Sequence, residues 1–531
     1  MAGNFLFAGA LVEDKAGVLW DLVAPGPEYE AELHGFTWLD DLAAVGDAKS
    51  AEKAQAWLFE WVARCGGGKG PGWTPDLTGR RLIRWINHAI LLLNGRSSED
   101  SKAYYRSLGQ QTIFLSRRWR AATPGLPRFE ALTGLIYAGL ALEGMAAHVD
   151  PAVAALSQEC AREIDDEGGI ATRNPEELLE VFTLLNWAAS ALAEAGRMAE
   201  RPHLAAIERV APTLRALRHS DGGLARFHGG GRGQEGRLDH ALAASGIKAR
   251  APDGLSMGYV RLHGGRTSLI LDAARPPIRT ASHNAHASTC AFELSSGRRP
   301  LIVNCGSGNS FGPEWRRAGR ATASHSTLAL AGRSSAKLGR LGLFGPGREY
   351  LVDAPGDVRV QFLIEEGAQG VILGHDGYRK SHGLTHIRQI ELANNGRGVA
   401  GEDTLAAIEQ ADQKIFDRAL DKVALQGISF KIHFHLHPDA DAELDMGGAA
   451  VSMALKSGEI WVFRHDGAGR LALEPSVYLE KGRLKVRATK QVVLTSRALD
   501  YATRIRWTLA KAHETPDAIR DLEREDSEMA E

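Results

Sequence analysis

Two hydrophobic periodicities follow one another along this chain, and their order restricts the fold more than any single motif does. Between about residues 47 and 245, apolar side chains recur at three- and four-residue spacing. Ala54, Leu58, Trp61 and Val62 share a stripe in AEKAQAWLFEWVARC, as do Leu82, Trp85, Ile86 and Ile90 in GRRLIRWINHAILLLNG. Five further segments of about 12 to 20 residues repeat the pattern, most of them separated by Gly, Pro, Ser or Asn. Helices in series with no strand between them predict a helical array or α/α toroid and argue against a parallel sheet. From SMGYVRLHGGRTSLILDAA onward the texture changes. STCAFELSSGRRPLIVNCG, ISFKIHFHLHP and AVSMALKSGEIWVFRHDG alternate apolar and polar residues around Gly-rich turns, the pattern of an antiparallel β-sandwich. The predicted class is therefore multidomain α and β: a toroid over 1–245, a sandwich over 246–515 and a charged tail over 516–531.

Composition sets the outer limits. A chain of 531 residues, 44% hydrophobic and 24% charged, fits two large globular domains. With 63 Lys+Arg against 65 Asp+Glu there is no global field for nucleic acid or an anionic membrane, so nucleic acid is not an expected partner and any polyanion must be recognised locally. Cys65, Cys160, Cys290 and Cys305 form no CxxC pair and read as buried free thiols in a reducing compartment. No window approaches the roughly 18 apolar residues of a membrane span. The opening MAGNFLFAGALVEDKAG lacks a basic region ahead of its apolar stretch, which reads as a cytoplasmic chain; an incomplete N-terminus would allow the periplasm or cell envelope instead.

Five strings, in order, resemble the heparinase II/III family of polysaccharide lyases: REIDDEGGIATRNPEELLEVFTLL, AHASTCAFELSSGRRPLIVNCGSG, WRRAGRATASHSTLAL, HDGYRKSHGLTHIRQI and FKIHFHLHP. The resemblance covers most of the chain and implies a toroid joined to a sandwich, acting by β-elimination on an acidic, uronic-acid-containing polysaccharide or oligosaccharide. Such chemistry needs a group that neutralises the uronate carboxylate, a base for the weakly acidic α-proton, and an acid for the leaving oxygen. The chain departs from the family where these are expected. Leu126-Pro127-Arg128 stands where an Asn-His pair is usual, and Glu177 stands where a tyrosine is usual. Asn87-His88 lies in an earlier helix and reads as structural.

The resemblance then implies Arg128 and Arg173 as carboxylate ligands, Glu177 or His283 as the proton carrier, and Glu130, Arg320, His382 and His386 as substrate contacts. Arg316 and Arg317 are further guanidinium candidates beside Arg320. His286, Asn304 and His325 match a His, Asp, His metal site with Asn in place of the acid, leaving open one divalent ion, Zn or Ca, or a metal-free polar cluster. Residues 174–177 also read as a helix start, with Asn174 as N-cap and Pro175 first. His433, His435 and His437 share one strand face and read as a hydrogen-bonded set. FHGGGRGQEG lacks the Gly-Lys-Ser/Thr ending of a P-loop and reads as a hinge or cleft-lining loop. Two rival functions remain at this level: inverting glycoside hydrolysis by Glu130 and Glu177, which needs carboxyls about 6.5–9.5 Å apart, and glycan binding without catalysis. The oligomeric state is open, a homodimer among the options.

Overall fold

The computed structural model of the protein describes residues 3–13, 18–250, 253–340 and 349–512, so the charged tail expected at 516–531 lies outside the described residues. The longer helices fall where the 3.6-residue stripe predicts them: α1 Ala48–Cys65, α2 Pro75–Asn87, α3 Ser98–Arg118, α4 Leu126–Ala141, α5 Val149–Glu163, α6 Pro175–Glu194 and α7 Arg201–Ala216. Their boundaries are chemical. Asp47 accepts the Ser50 N–H at the start of α1, Ser97 and Asp100 form a capping box on α3, and Pro occupies the first turn of α2 and α4. No helix among the described residues is long and apolar enough to cross a membrane.

Helices α2 and α4 meet closely because neither has a side chain at the crossing. A Cβ on Gly134 would lie 2.4 Å from the Gly79 Cα, and one on Gly79 would lie 2.2 Å from the Glu130 carbonyl oxygen. Both obstacles are backbone and cannot rotate away. Gly134→Ala is therefore expected to cost at least about 1–3 kcal/mol by overpacking, measured as a lower urea midpoint of the full chain; an unchanged midpoint would show that the helices can slide apart freely.

Two antiparallel sheets follow. The eight-stranded sheet runs Val358–Glu365, Ala368–Tyr378, Leu384–Ala393, Gly398–Ala406, Ala502–Lys511, Ile460–His465, Ala450–Ala454, Asp441–Asp445. In the nine-stranded sheet the order is Arg470–Tyr478, Arg487–Ala498, Ile428–Leu436, Arg299–Val303, Phe292–Ser296, Thr267–Asp272, Tyr259–Gly264, Leu255–Ser256, with Leu328–Leu330 pairing beside Ile428–Leu436. Their inner faces join through aromatics: Phe292 lies parallel to Trp507 with centroids 5.9 Å apart, and Phe434 meets Trp507 edge-on at 4.8 Å.

The two compact units are not divided by a single cut near 245. One comprises Met1–Ile170, Glu177–Pro212 and His240–Ala249; the other comprises Ala171–Glu176, Thr213–Asp239 and Arg250–Glu531. The segments 171–176 and 213–239 join the sheets because their polar side chains have partners there. The strand Phe292–Ser296, whose alternation predicts one buried face, is buried on both. His219 takes up Glu293 at 3.1 Å and Ser295 at 3.1 Å, and the Arg226 backbone N–H donates to Glu293 at 3.0 Å. The FHGGGRG segment is packed, not an open hinge: a Cβ on Gly230 would lie 2.3 Å from the Asn174 side-chain oxygen.

Candidate functional site

Within the sheet-bearing unit, a buried chain of charge runs from Arg173 to His325. Arg173 adopts φ of 50°, a left-handed conformation placed just before the helix start at Asn174, whose side chain accepts the Glu176 N–H at 3.0 Å. Its guanidinium donates to the carbonyls of Met257, Gly258, Ala274 and Arg275 and, at 2.7 Å, to Asp272. It also lies over the Tyr259 ring at 4.6 Å. These partners occupy the fork that the resemblance assigns to a substrate carboxylate. Burial alone would push the Asp272 carboxyl up; the Arg173 guanidinium, with bonds from His228 and Ser288, outweighs it and holds the group below the usual carboxylate range.

The hydrogen bonds settle the histidine tautomers. His325 Nδ1 faces the Ala321 carbonyl at 2.8 Å and must donate, so its Nε2 offers a lone pair, which His286 Nδ1 approaches to 3.0 Å. His228 Nδ1 accepts the His286 backbone N–H at 3.1 Å, so its Nε2 carries the proton that faces Asp272 at 3.4 Å. Burial depresses His286 strongly and His325 to about 4, keeping both rings neutral at pH 7. Asn304 is turned away from this pair: its oxygen accepts the Ser326 N–H at 3.0 Å and its amide nitrogen reaches Glu293 at 3.4 Å. The set expected to bind Zn or Ca thus presents two imidazoles and no carboxylate, with its amide oxygen already engaged. That is a poor fit to either ion, and the cluster is complete through hydrogen bonds.

His386, predicted as a substrate contact, is sealed in the sandwich. Its Nε2 lies 2.8 Å from Asp403, which also takes a two-pronged bond from Arg388 at 2.8 and 3.0 Å. Among the described residues, Cys290, His375 and His386 bring their donor atoms within 4.8 Å of one another. There Gly377 N–H donates to His375 Nδ1 at 3.1 Å, which makes the ring's Nε2 a donor to His386 Nδ1 at 3.2 Å, so the two imidazoles satisfy each other by hydrogen bonding. His382, half-buried on a short turn, contacts Ser381 at 2.9 Å. The strand triplet is hydrogen-bonded as expected: His433 to Gln491 and His435 to Ser476 and the Ala323 carbonyl.

At the surface of the same unit, the short helix Arg279–Asn284 carries His283. Arg316 Nη2 stands 3.2 and 3.1 Å from the two ring nitrogens and 3.1 Å from the Asn284 side-chain oxygen, while the Tyr350 ring lies 6.1 Å from the imidazole centroid. Arg320 clamps this loop from below, donating to the carbonyls of Ala285, Glu349 and Ser282, and burial lowers its pKa to about 10. Of two arginines one helical turn apart, Arg320 is therefore a positioning residue and Arg316 faces outward to the imidazole. Sequence reasoning did not single out Tyr350, Asn284, His228 or Asp272; the only local signal was the neighbourhood of the two histidines in ASHNAH.

In the helical unit, Arg128 cements the turn into α4, donating to Glu159 at 3.3 Å and to the Ala122 carbonyl at 2.8 Å. Glu130 pairs with Arg80 at 2.5 Å, its second oxygen buried without a hydrogen-bond partner, and burial raises its pKa despite the guanidinium. Glu177 is half-buried in the first turn of α6.

A family model described as heparinase II/III-like, C-terminal, matches residues 246–508. FtsZ-localized protein C of Caulobacter vibrioides (strain NA1000 / CB15N) is 30% identical over 530 residues, covering 96% of this chain and 88% of that one. Among solved structures, heparinase III superposes with a TM-score of 0.69 at 14% identity, covering 93% of this chain and 79% of its own. A mutant of the heparan sulfate lyase HepC from Pedobacter heparinus gives 0.61 at 14% identity over 97% and 82%. The fold, a helical toroid plus a β-sandwich, is shared with these structures.

Proposed function

Because the chain belongs to the heparinase II/III-like family, we propose that it acts on a uronic-acid-containing polysaccharide by β-elimination with an altered acid and base set centred on His283. The observation that carries this reading is the grouping of an imidazole, a guanidinium and an amide oxygen within 3.1–3.2 Å in the sheet-bearing unit. Arg316 supplies the positive charge that neutralises a uronate carboxylate and acidifies the neighbouring C–H. His283 takes that proton; as the C–O bond to the leaving sugar breaks and a carbon–carbon double bond forms, the imidazolium returns the proton to the leaving oxygen. Tyr350 and the Arg320 clamp hold the ring in place. The Arg173 guanidinium, saturated by internal partners, and the Arg128 guanidinium, bonded to Glu159 and the Ala122 carbonyl, serve the architecture.

A panel of uronic-acid polymers tests the reading through the ultraviolet absorbance of the unsaturated sugar end. Wild type should generate the signal on at least one polymer, and His283→Ala should reduce the rate by about 10²–10⁴-fold, the contribution of one positioned acid–base group. Folded wild-type protein with no signal on any polymer would remove the lyase reading. A second reading, favoured by the engagement of Arg128, Arg173 and Arg320 and by Glu177 at the tyrosine position, is glycan binding without turnover. Such a protein would gather where FtsZ does, as the name of the Caulobacter relative says of that protein. Binding in the same panel with no unsaturated product selects it.

A further inference from the structure

The helical unit holds a cavity of about 410 Å³ that none of the assignments above uses. Its wall is Trp73, Ile113 and Phe114, its floor is the glycine run 66–68, and Gln110, Arg117 and Arg118 stand at its rim. The aromatic wall is rigid: Trp73 Nε1 donates to the Cys65 carbonyl at 2.6 Å, its ring stacks on Trp61 at 6.1 Å, and Phe114 meets it edge-on at 5.1 Å. Behind it, Arg81 is fully buried and bonded to the carbonyls of His34 and Gly72. The glycines are not all explained by the fold. A Cβ on Gly67 or Gly68 would meet nothing within 4 Å, and only Gly68 of these two has a positive φ, of 80°. Side chains are missing where they would fill the cavity, which leaves backbone polar groups accessible to an occupant.

Charge selects the kind of occupant. Arg117 and Arg118 are exposed, neither makes an ion pair among the described residues, and no carboxylate lines the cavity. Two unneutralised guanidiniums beside an aromatic wall suit a ligand with an anionic group and a flat apolar face. The volume lies in the range of small-molecule sites. The cavity also sits on the loop entering α2, whose N-terminal half crosses that of α4, the helix whose entry turn Arg128 secures.

We infer that this cavity is a binding subsite for one or two acidic sugar units, with Arg117 and Arg118 taking the carboxylate or sulfate and Trp73 with Phe114 packing against the ring. The inference rests on the glycan reading above but not on turnover. Isothermal titration with a carboxylated hyaluronan tetrasaccharide, a sulfated heparin-derived tetrasaccharide, neutral cellotetraose and a polyglutamate peptide tests it, using wild type and Arg117→Ala/Arg118→Ala. The expected result is binding of at least one acidic tetrasaccharide, weakened at least tenfold in the double arginine variant. Cellotetraose should bind at least tenfold more weakly than the acidic sugar. Equal acidic-sugar affinity in wild type and the double variant would overturn the subsite while leaving the glycan reading intact. Tighter binding of a polyglutamate peptide than of any sugar would overturn it in favour of a protein partner. No binding of any acidic sugar by folded wild type would remove both.

Discussion

Asp272→Ala should destabilise the protein by about 3–5 kcal/mol, the cost of leaving a buried cation without its partner. Arg173 is nine-tenths buried and Asp272 wholly so, and among the described residues the carboxylate is the only anion bonded to that guanidinium; it also takes the Ser288 hydroxyl at 2.6 Å and faces His228. Removing it leaves Arg173 with carbonyl oxygens alone, which solvate but do not neutralise. It also leaves His228 without an acceptor, loosening the contact to the His286 backbone. Urea unfolding of the full chain is the measurement, with Ser288→Ala as a control that removes one hydrogen bond and should cost only about 0.5–1.5 kcal/mol. If Asp272→Ala were no worse than Ser288→Ala, the buried pair would not be the anchor of segment 171–176.

Acid should unfold this protein between about pH 6 and 4, above the range in which the buried Asp272 and Asp403 carboxylates protonate. Burial lowers His34, His325, His433 and His435 to about 4 each. In the unfolded chain these rings titrate near 6.5. Below that pH the unfolded state binds more protons than the folded one, so stability falls as pH falls, and the loss levels off only below about 4. Each ring contributes a slope of up to about 1.4 kcal/mol per pH unit and the four together up to about 5.6, against a total stability of about 5–15 kcal/mol. Asp272 and Asp403 act in a different window. Their folded-state values are depressed, so their contribution is complete above their ordinary value near 4 and is lost only below it. Circular dichroism and tryptophan fluorescence from pH 7.5 to 4 should show one cooperative loss with uptake of several protons. A native signal persisting to pH 4 would contradict the burial of these rings.

The helical and strand-forming segments were open to reading because each is written in short-range chemistry; the order of the strands in their sheets was not. Asp47, Ser97 and the prolines of α2 and α4 mark helix starts by their own side chains. The five ordered strings carried the family, and the heparinase II/III-like, C-terminal family model matching residues 246–508 agrees with that reading. The candidate site was legible only as a neighbourhood. Arg173, Arg316 and Arg320 look alike in one dimension, yet the first is bonded to four carbonyls and an aspartate, the last to three carbonyls, and only Arg316 meets His283. Nothing local distinguishes them, since their partners lie tens of residues away.

The aromatic cavity was missed for the opposite reason. Its glycine run lies between helices, and Arg117 and Arg118 form the basic last turn of α3. Neither local pattern reports what the segments enclose.

By itself the sequence determined the class of each half, because hydrophobic period is a property of neighbouring residues and survives any arrangement of the elements. Only tertiary structure decided which polar side chains are spent inside and which face a ligand. That outcome depends on desolvation and on partners such as Glu293 for His219, 74 positions apart, brought to 3.1 Å by sheet pairing that no local pattern encodes.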